Sequence, residues 1–346
     1  MEIGSEFHWS DDDLAPQDTG VLNGWMFFRS GRDCLRVIAM EQRSKRMTVL
    51  MPELCCQSMV DPFVQQGYEV VFYPLHEDLT ADLSSIKRAL QPTDILLSLS
   101  YFGQRTVSVT DAKMLRREYP QIYLLLDCTQ SLLPAPEEQT VYDAVVSSVR
   151  KWLALPDGGA LYEKKRTVRR CGSSPEFSRI HKQAMEEKAA YLKNPSEEKK
   201  HHFRMLLAQA VHLIDSDTAL SAAAPESVER MQRLNFMALS TRRQKNCAVL
   251  MESLPGMEGL RPLLDLSADA VPLYVPIWAD DRDSLQAALA HEGIYCPVIW
   301  PLPQECEAPH TVAVDIAAHM LALPCDQRYT PDVMESVVDV LRRCIT

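Results

Sequence analysis

Apolar residues in this chain fall into short continuous runs separated by stretches of helical spacing. Residues 48–51, 69–73, 94–100 and 122–126 are nearly uniform runs of Val, Leu, Ile, Met and aromatics, as expected of strands covered on both faces. Between them, residues 58–66, 82–90 and 109–119 place their apolar positions on one side of a helix. Strands at 142–146 and 160–162 continue the series. This alternation predicts an α/β fold, a parallel sheet with helices on both faces.

The flanking regions read differently. Residues 1–25 are an Asp-rich irregular lead-in, and Ser30-Gly31 then precedes a helical pattern carried by Leu35, Ile38 and Ala39. Two polar helices are predicted at 176–192 and 197–214, separated by Asn194-Pro195, and one long amphipathic helix at 226–254, closed by Pro255-Gly256. The tail changes character: strands at 274–278, 298–300 and 320–323 and helices at 282–292 and 331–343 predict a small α+β domain. The expected division is a lead-in over 1–25, a large domain over 26–235 and a small C-terminal domain over 236–346.

Charge removes several function classes. With 346 residues and a formal net charge of -11, the chain lacks the basic surface that phosphate backbones require, so no nucleic acid is expected. The basic pieces Lys164-Lys165-Arg166 and Arg169-Arg170 are short enough to be a solvated helix face. No run of ~18 apolar residues suggests a membrane span. The first 13 residues lack a basic region followed by an apolar one, so a cytoplasmic protein is expected. The 10 cysteines include the vicinal pair Cys55-Cys56 but no C-x-x-C spacing. His201, His202 and His212 have no carboxylate at ligand spacing, so no metal is expected.

Candidate chemistry gathers where such sheets bind ligands, at the carboxyl ends of the strands. Asp127, Tyr101-Phe102-Gly103 and the loop from Pro52 to Cys56 all fall there. Lys151 lies in Ser147-Ser148-Val149-Arg150-Lys151-Trp152, just after a strand and before Asp157-Gly158-Gly159, where glycines permit close backbone approach. Ser30-Gly31 opens a helix, where unpaired N–H groups can seat a phosphate or simply be capped. A carboxylate, a lysine and a phosphate seat, with a surface to pack on a ring, are what pyridoxal phosphate needs from a protein. On the residues alone, Asp127 either pairs with a pyridinium nitrogen or caps the next helix.

In these features the chain resembles the DegT/DnrJ/EryC1/StrS aminotransferases, fold type I pyridoxal-phosphate enzymes best known for acting on sugars. The likeness rests on Ser30-Gly31-Arg32, Pro52, Asp127-x-x-Gln130, Ser148-x-x-Lys151 and Gly158-Gly159. It continues through Arg282-Asp283, Gly293 to Val298, Trp300-Pro301-Leu302-Pro303 and Leu323 to Tyr329. The resemblance implies a mostly parallel seven-stranded sheet between helices, a small C-terminal domain and a homodimer with shared active sites. It implies that Lys151 is the Schiff-base lysine and proton carrier, that Asp127 pairs with the pyridine nitrogen, and that Gln130 faces the ring or its 3-oxygen. Gly31 and Arg32 would hold the phosphate through backbone N–H groups, with Ser30 before them and a hydroxyl from Ser147 or Ser148.

The chain departs from the family at three places. Gly31-Arg32 stands where a small residue and Thr are common. Glu53-Leu54-Cys55-Cys56 replaces a loop with a stacking aromatic, which leaves Cys56, Tyr101 or Phe102 to pack on the ring. Ile299 stands where close relatives carry His before Trp-Pro. The expected activity is transfer of an amino group from an amino-acid donor such as glutamate to a keto or aldehyde acceptor, a nucleotide sugar among the candidates. The alternatives are a non-transaminating enzyme or a regulatory protein on the same fold. Family dehydratases have His where this chain keeps Lys151.

Overall fold

The computed structural model describes residues 2–165, 171–172, 174–307 and 311–345. Arg166, Arg169 and Arg170 of the basic pieces lie outside the described residues. The large sheet is built from β1 (Met26–Phe28), β2 (Thr48–Pro52), β3 (Glu69–Tyr73), β4 (Ile95–Tyr101), β5 (Tyr123–Asp127), β6 (Ala144–Ser147) and β7 (Gly159–Glu163). Its strand order is β1-β7-β6-β5-β4-β2-β3, with Gln104–Arg105 paired to β4 off this path. The sheet is mostly parallel, as the uninterrupted apolar runs require. By packing, the chain forms two compact units, one of Met1–Ser5, Ala39–Val145 and Leu239–Thr346, the other of Glu6–Ile38 and Val146–Ala238.

In the first unit β2, β3, β4 and β5 run parallel, with Val49 opposite Val70 and Ile95, and Leu99 opposite Asp127. Val49, Leu50, Met51 and Leu124 to Leu126 are fully buried. The C-terminal part forms an antiparallel sheet of β8 (Leu260–Pro262), β9 (Tyr274–Ala279) and β10 (Met320–Pro324). The helix Pro331–Cys344 buries Met334, Val337, Val338 and Leu341. That spacing makes one continuous stripe, which joins Val275, Ile277, Leu321 and Leu323 in a single core cluster. Ile3–Gly4 of the lead-in pairs in parallel with Ile294–Tyr295.

In the second unit β1 and β7 are antiparallel, with Phe28 opposite Gly159. The predicted polar helices are Pro175–Lys193 and Glu197–Ser216. They close on each other through Phe177, Ile180, Ala184, Leu206, Ala210 and Ile214. Ser196 caps the second of them by accepting from the Lys199 N–H at 3.2 Å. The lead-in lies on this unit: Phe7 packs with Ala154 and Met185, and the Arg230 guanidinium sits 4.1 Å from the Trp9 ring centroid.

Two predicted elements differ. The single helix expected over 226–254 is broken into Pro225–Gln232 and Phe236–Ser253. The lead-in causes the break: Thr19 and Ala15 N–H donate to the Gln232 and Arg233 carbonyls at 3.0 and 2.7 Å, and Leu14 bridges Leu234. The Asn235 side chain then accepts from Ala238 N–H at 3.2 Å and starts a new helix. Residues 298–300 are not a strand, because Pro297 and Pro301 flank them and neither has an N–H to donate to a ladder. No helix of the described residues is long and apolar enough to cross a membrane, and no cluster of three or more potential metal ligands occurs among them.

Candidate active site

The second unit carries the lysine and the predicted phosphate seat. After β1 the chain turns at Ser30, whose hydroxyl accepts from Asp33 N–H at 3.2 Å and starts the helix Gly31–Gln42. The N–H groups of Gly31 and Arg32 occupy the first helical positions, where no intrahelical acceptor exists and the helix dipole is positive. A Cβ on Gly31 would lie 3.2 Å from the Ser148 Cβ, so the helix start and the end of β6 are in close contact. The Ser147 hydroxyl is completely buried and has no hydrogen-bond partner among the described residues. Lys151 ends the short 3-10 turn Val149–Lys151 and is half-buried.

Backbone bonds join these pieces. Arg150 N–H donates to the Gly158 carbonyl at 3.0 Å, and Gly158 N–H donates to the Arg29 carbonyl at 2.8 Å. Gly159 lies against the Ser30-Gly31 peptide, where a Cβ would fall 2.2 Å from the Ser30 carbonyl carbon. Two side chains are engaged elsewhere. The Arg32 guanidinium donates to the Ile214 carbonyl at 2.8 Å and to Asp215 at 2.7 Å. The Ser30 hydroxyl donates to Asp33 at 2.7 Å.

The segment between Lys151 and Gly159 is anchored by Asp157, buried and bonded to Ser178 and to Ala224 N–H at 3.1 Å. Burial pushes the Asp157 carboxyl up, and the hydrogen bonds from Ser178, Ser227 and Ala224 only partly oppose it. His181 hydrogen-bonds the Pro156 carbonyl at 2.8 Å through Nδ1 and stacks on Phe177. Burial pushes its pKa down. Neither residue belonged to a recognised motif, and only the position of Asp157 before the glycine pair hinted at a role.

The first unit carries the predicted ring contacts. Asp127 ends β5 beside Leu99, is 7% exposed, and its Oδ1 accepts from Thr129 N–H at 2.8 Å. It caps no helix, since the next one begins at Pro136 with Ala135 as its cap. Gln130 is buried with Oε1 unpartnered, and its carbonyl accepts from Leu273 N–H at 3.0 Å. Tyr101 ends β4, and its hydroxyl donates to the Leu54 carbonyl, tying it to the loop that carries Cys56. Its ring centroid is 6.4 Å from that of Trp300. Phe102 is buried with a φ of 53°. Cys56 precedes the helix Gln57–Val64, and its sulfur is 3.1 Å from the Ser58 hydroxyl.

Glu53 in the same loop is a buried carboxylate whose pKa burial raises, and sequence reasoning missed it. Ile299, just before Trp300-Pro301, is also buried.

A mostly parallel sheet with a lysine after β6 and a carboxylate ending β5 is the architecture of the pyridoxal-phosphate aminotransferases. The DegT/DnrJ/EryC1/StrS aminotransferase family model matches residues 30–342, and the chain belongs to that family. No curated protein matches it.

Among solved structures, NtdA from Bacillus subtilis with bound PMP aligns with a TM-score of 0.65 at 14% identity, covering 93% of this chain and 73% of that one. A DegT/DnrJ/EryC1/StrS aminotransferase from Brucella abortus aligns at 0.60 and 15% identity, covering 92% and 85%. DesI, in the presence of its TDP-sugar product, aligns at 0.65 and 18% identity, covering 94% and 82%. At these identities the likeness to each structure is one of fold.

Proposed function

We propose that the protein is an aminotransferase that takes an amino group from an amino-acid donor, glutamate first among those to test, and delivers it to a keto or aldehyde carbon of a nucleotide sugar. Pyridoxal phosphate, when bound, supplies the electron sink for the carbanion. The observation that carries the reading is the buried Ser147 hydroxyl, without a partner among the described residues, next in sequence to the Ser148 that lies against Gly31 and four residues before Lys151. A buried hydroxyl left unpaired costs about 1–3 kcal/mol, which a phosphate oxygen would recover.

In this reading the N–H groups of Gly31 and Arg32 and the Ser147 hydroxyl hold the phosphate. Lys151 would hold the cofactor through its amine and, once displaced by the amino donor, that amine would move the proton at the substrate α-carbon. Asp127 would accept from the pyridine nitrogen, and the Gln130 amide oxygen, unpartnered among the described residues, would be a second polar group available in the first unit. Ser30 and the Arg32 side chain, engaged with Asp33 and Asp215, act through the backbone they shape. The sugar acceptor is supported by the family and by DesI, solved with a TDP-sugar product. A homodimer with shared sites follows the family and is checked by sedimentation.

The test is spectroscopic. Purified protein with pyridoxal phosphate should show the absorbance of a lysine adduct, lose it with an amino donor and regain it with the acceptor. Borohydride should fix the cofactor on Lys151. Lys151→Ala should remove the adduct and the ~100 to 10,000-fold that a positioned proton carrier contributes. Transamination that survives Lys151→Ala refutes the mechanism, and colour that no donor bleaches refutes turnover.

A further inference from the structure

Beneath the Ser30-Gly31 turn the second unit buries a charged network that the chemistry above leaves unused. Arg29 is 1% exposed and Asp33 is 0% exposed. Arg29 Nε donates to Asp33 Oδ2 and Arg29 Nη2 to Oδ1, both at 3.1 Å. Arg36 Nη1 donates to Oδ1 at 2.9 Å, and the Ser30 hydroxyl to Oδ2 at 2.7 Å. A carboxylate offers about four acceptor sites, and these donors fill them. Arg29 further donates to the Ala219 carbonyl at 3.0 Å and pairs with Asp217.

An acid in the first turn of a helix ordinarily presents its charge to the helix start and competes with any anion arriving there. Asp33 is instead turned inward onto two guanidiniums. Its hold on Ser30 orients the peptide that carries the Gly31 N–H. Its hold on Arg29 fixes a residue whose carbonyl accepts from Gly158 N–H at 2.8 Å and whose N–H donates to the Ser221 carbonyl at 3.0 Å.

We infer that Asp33 is a positioning residue for the cofactor phosphate: through Ser30 and the Arg29–Arg36 pair it holds the Gly31 and Arg32 N–H groups in the orientation that receives the anion. The inference rests on the pyridoxal-phosphate reading and adds a residue that never touches the phosphate.

The test compares two aldehydes on the full chain, pyridoxal phosphate and pyridoxal, which lacks the phosphate. Affinities are read from adduct absorbance. Asp33→Asn keeps the shape but sets an amide donor against a guanidinium. Its affinity for pyridoxal phosphate should fall about 10- to 100-fold, the scale of a lost hydrogen bond to a charged group, while its affinity for pyridoxal holds. Ser30→Ala, which removes only the linking hydroxyl, should move the ratio of the two affinities the same way by less. If Asp33→Asn does not fold, Ser30→Ala carries the test alone. An unchanged ratio in the folded variants, or an equal loss for both aldehydes, overturns the inference. Wild-type protein that takes up neither aldehyde overturns the cofactor reading itself, a result seen before any variant is compared.

Discussion

Gly159→Ala tests the close approach on which the predicted phosphate seat depends. The new Cβ would lie 2.2 Å from the Ser30 carbonyl carbon, 2.3 Å from its oxygen and 2.6 Å from the Gly31 nitrogen. All three are backbone atoms, so no side chain can rotate away. Restoring ordinary contact near 3.5 Å requires the two segments to part by about 1.3 Å. They cannot part freely, because Gly159 is paired with Phe28 and Gly158 N–H is bonded to the Arg29 carbonyl. Overpacking of a core typically costs about 1–3 kcal/mol, and a clash confined to backbone belongs at the upper end.

Urea denaturation of the cofactor-free protein should therefore show Gly159→Ala destabilised by about 3 kcal/mol, a large share of the 5–15 kcal/mol typical of a domain. Pyridoxal phosphate affinity should fall with it. Gly31→Ala is the control. Its Cβ meets Ser148 alone among the described residues, at 3.2 Å from the Cβ and 3.7 Å from the backbone, and a gain of at most about 1 kcal/mol from replacing a glycine in a helix offsets the crowding. A Gly159→Ala protein with wild-type stability and affinity would refute the argument.

Three further outcomes are expected. Ser147→Ala removes a buried hydroxyl with no partner, so stability should hold or rise while pyridoxal phosphate affinity falls about tenfold, read by titration and denaturation side by side. His181 is held neutral by burial, its folded pKa below the ordinary value of about 6.5, so the unfolded chain takes up the proton first as pH falls. The stability it contributes is present above about pH 6.5 and lost below it. Relative to His181→Phe, which does not titrate, wild-type protein should lose ground between about pH 7.5 and about pH 5.5 in urea melts; a constant difference would contradict this. Arg243 is fully buried and donates to the Pro272 and Leu273 carbonyls at 3.1 and 2.9 Å and to Gln327 at 2.8 Å. Arg243→Lys cannot span these acceptors and should cost about 3 kcal/mol in the same melts.

The core strands were legible because their apolar runs are local and uninterrupted: Val49 to Met51 and Leu124 to Leu126 are buried on both faces, and no polar residue dilutes the signal. β1 was missed because it is three residues long and half-buried at Met26 and Phe27, with a strand partner, β7, some 130 positions later. The break in the helix over 226–254 was equally out of reach. Nothing within that stretch forbids a continuous helix, and the carbonyls that end it are taken by Ala15 and Thr19 from the far end of the chain.

The candidate site divides along the same line. Backbone requirements could be read from composition, since a serine before a helix and a glycine pair after a lysine mean much the same in any fold. Side-chain commitments could not, because they depend on partners the chain brings from elsewhere. Arg32 reads as a backbone N–H donor at the helix start, and nothing local shows that its guanidinium is bonded to Asp215, 183 residues away. Ser30 reads as the residue that opens the helix, and its pattern does not show that its hydroxyl is bonded to Asp33. The proposed seat in the second unit is then two backbone N–H groups and the Ser147 hydroxyl. Such a seat is only as good as the orientation of its peptides, so residues buried beneath it, Arg29, Asp33 and Gly159, should matter to phosphate binding as much as those that would touch it.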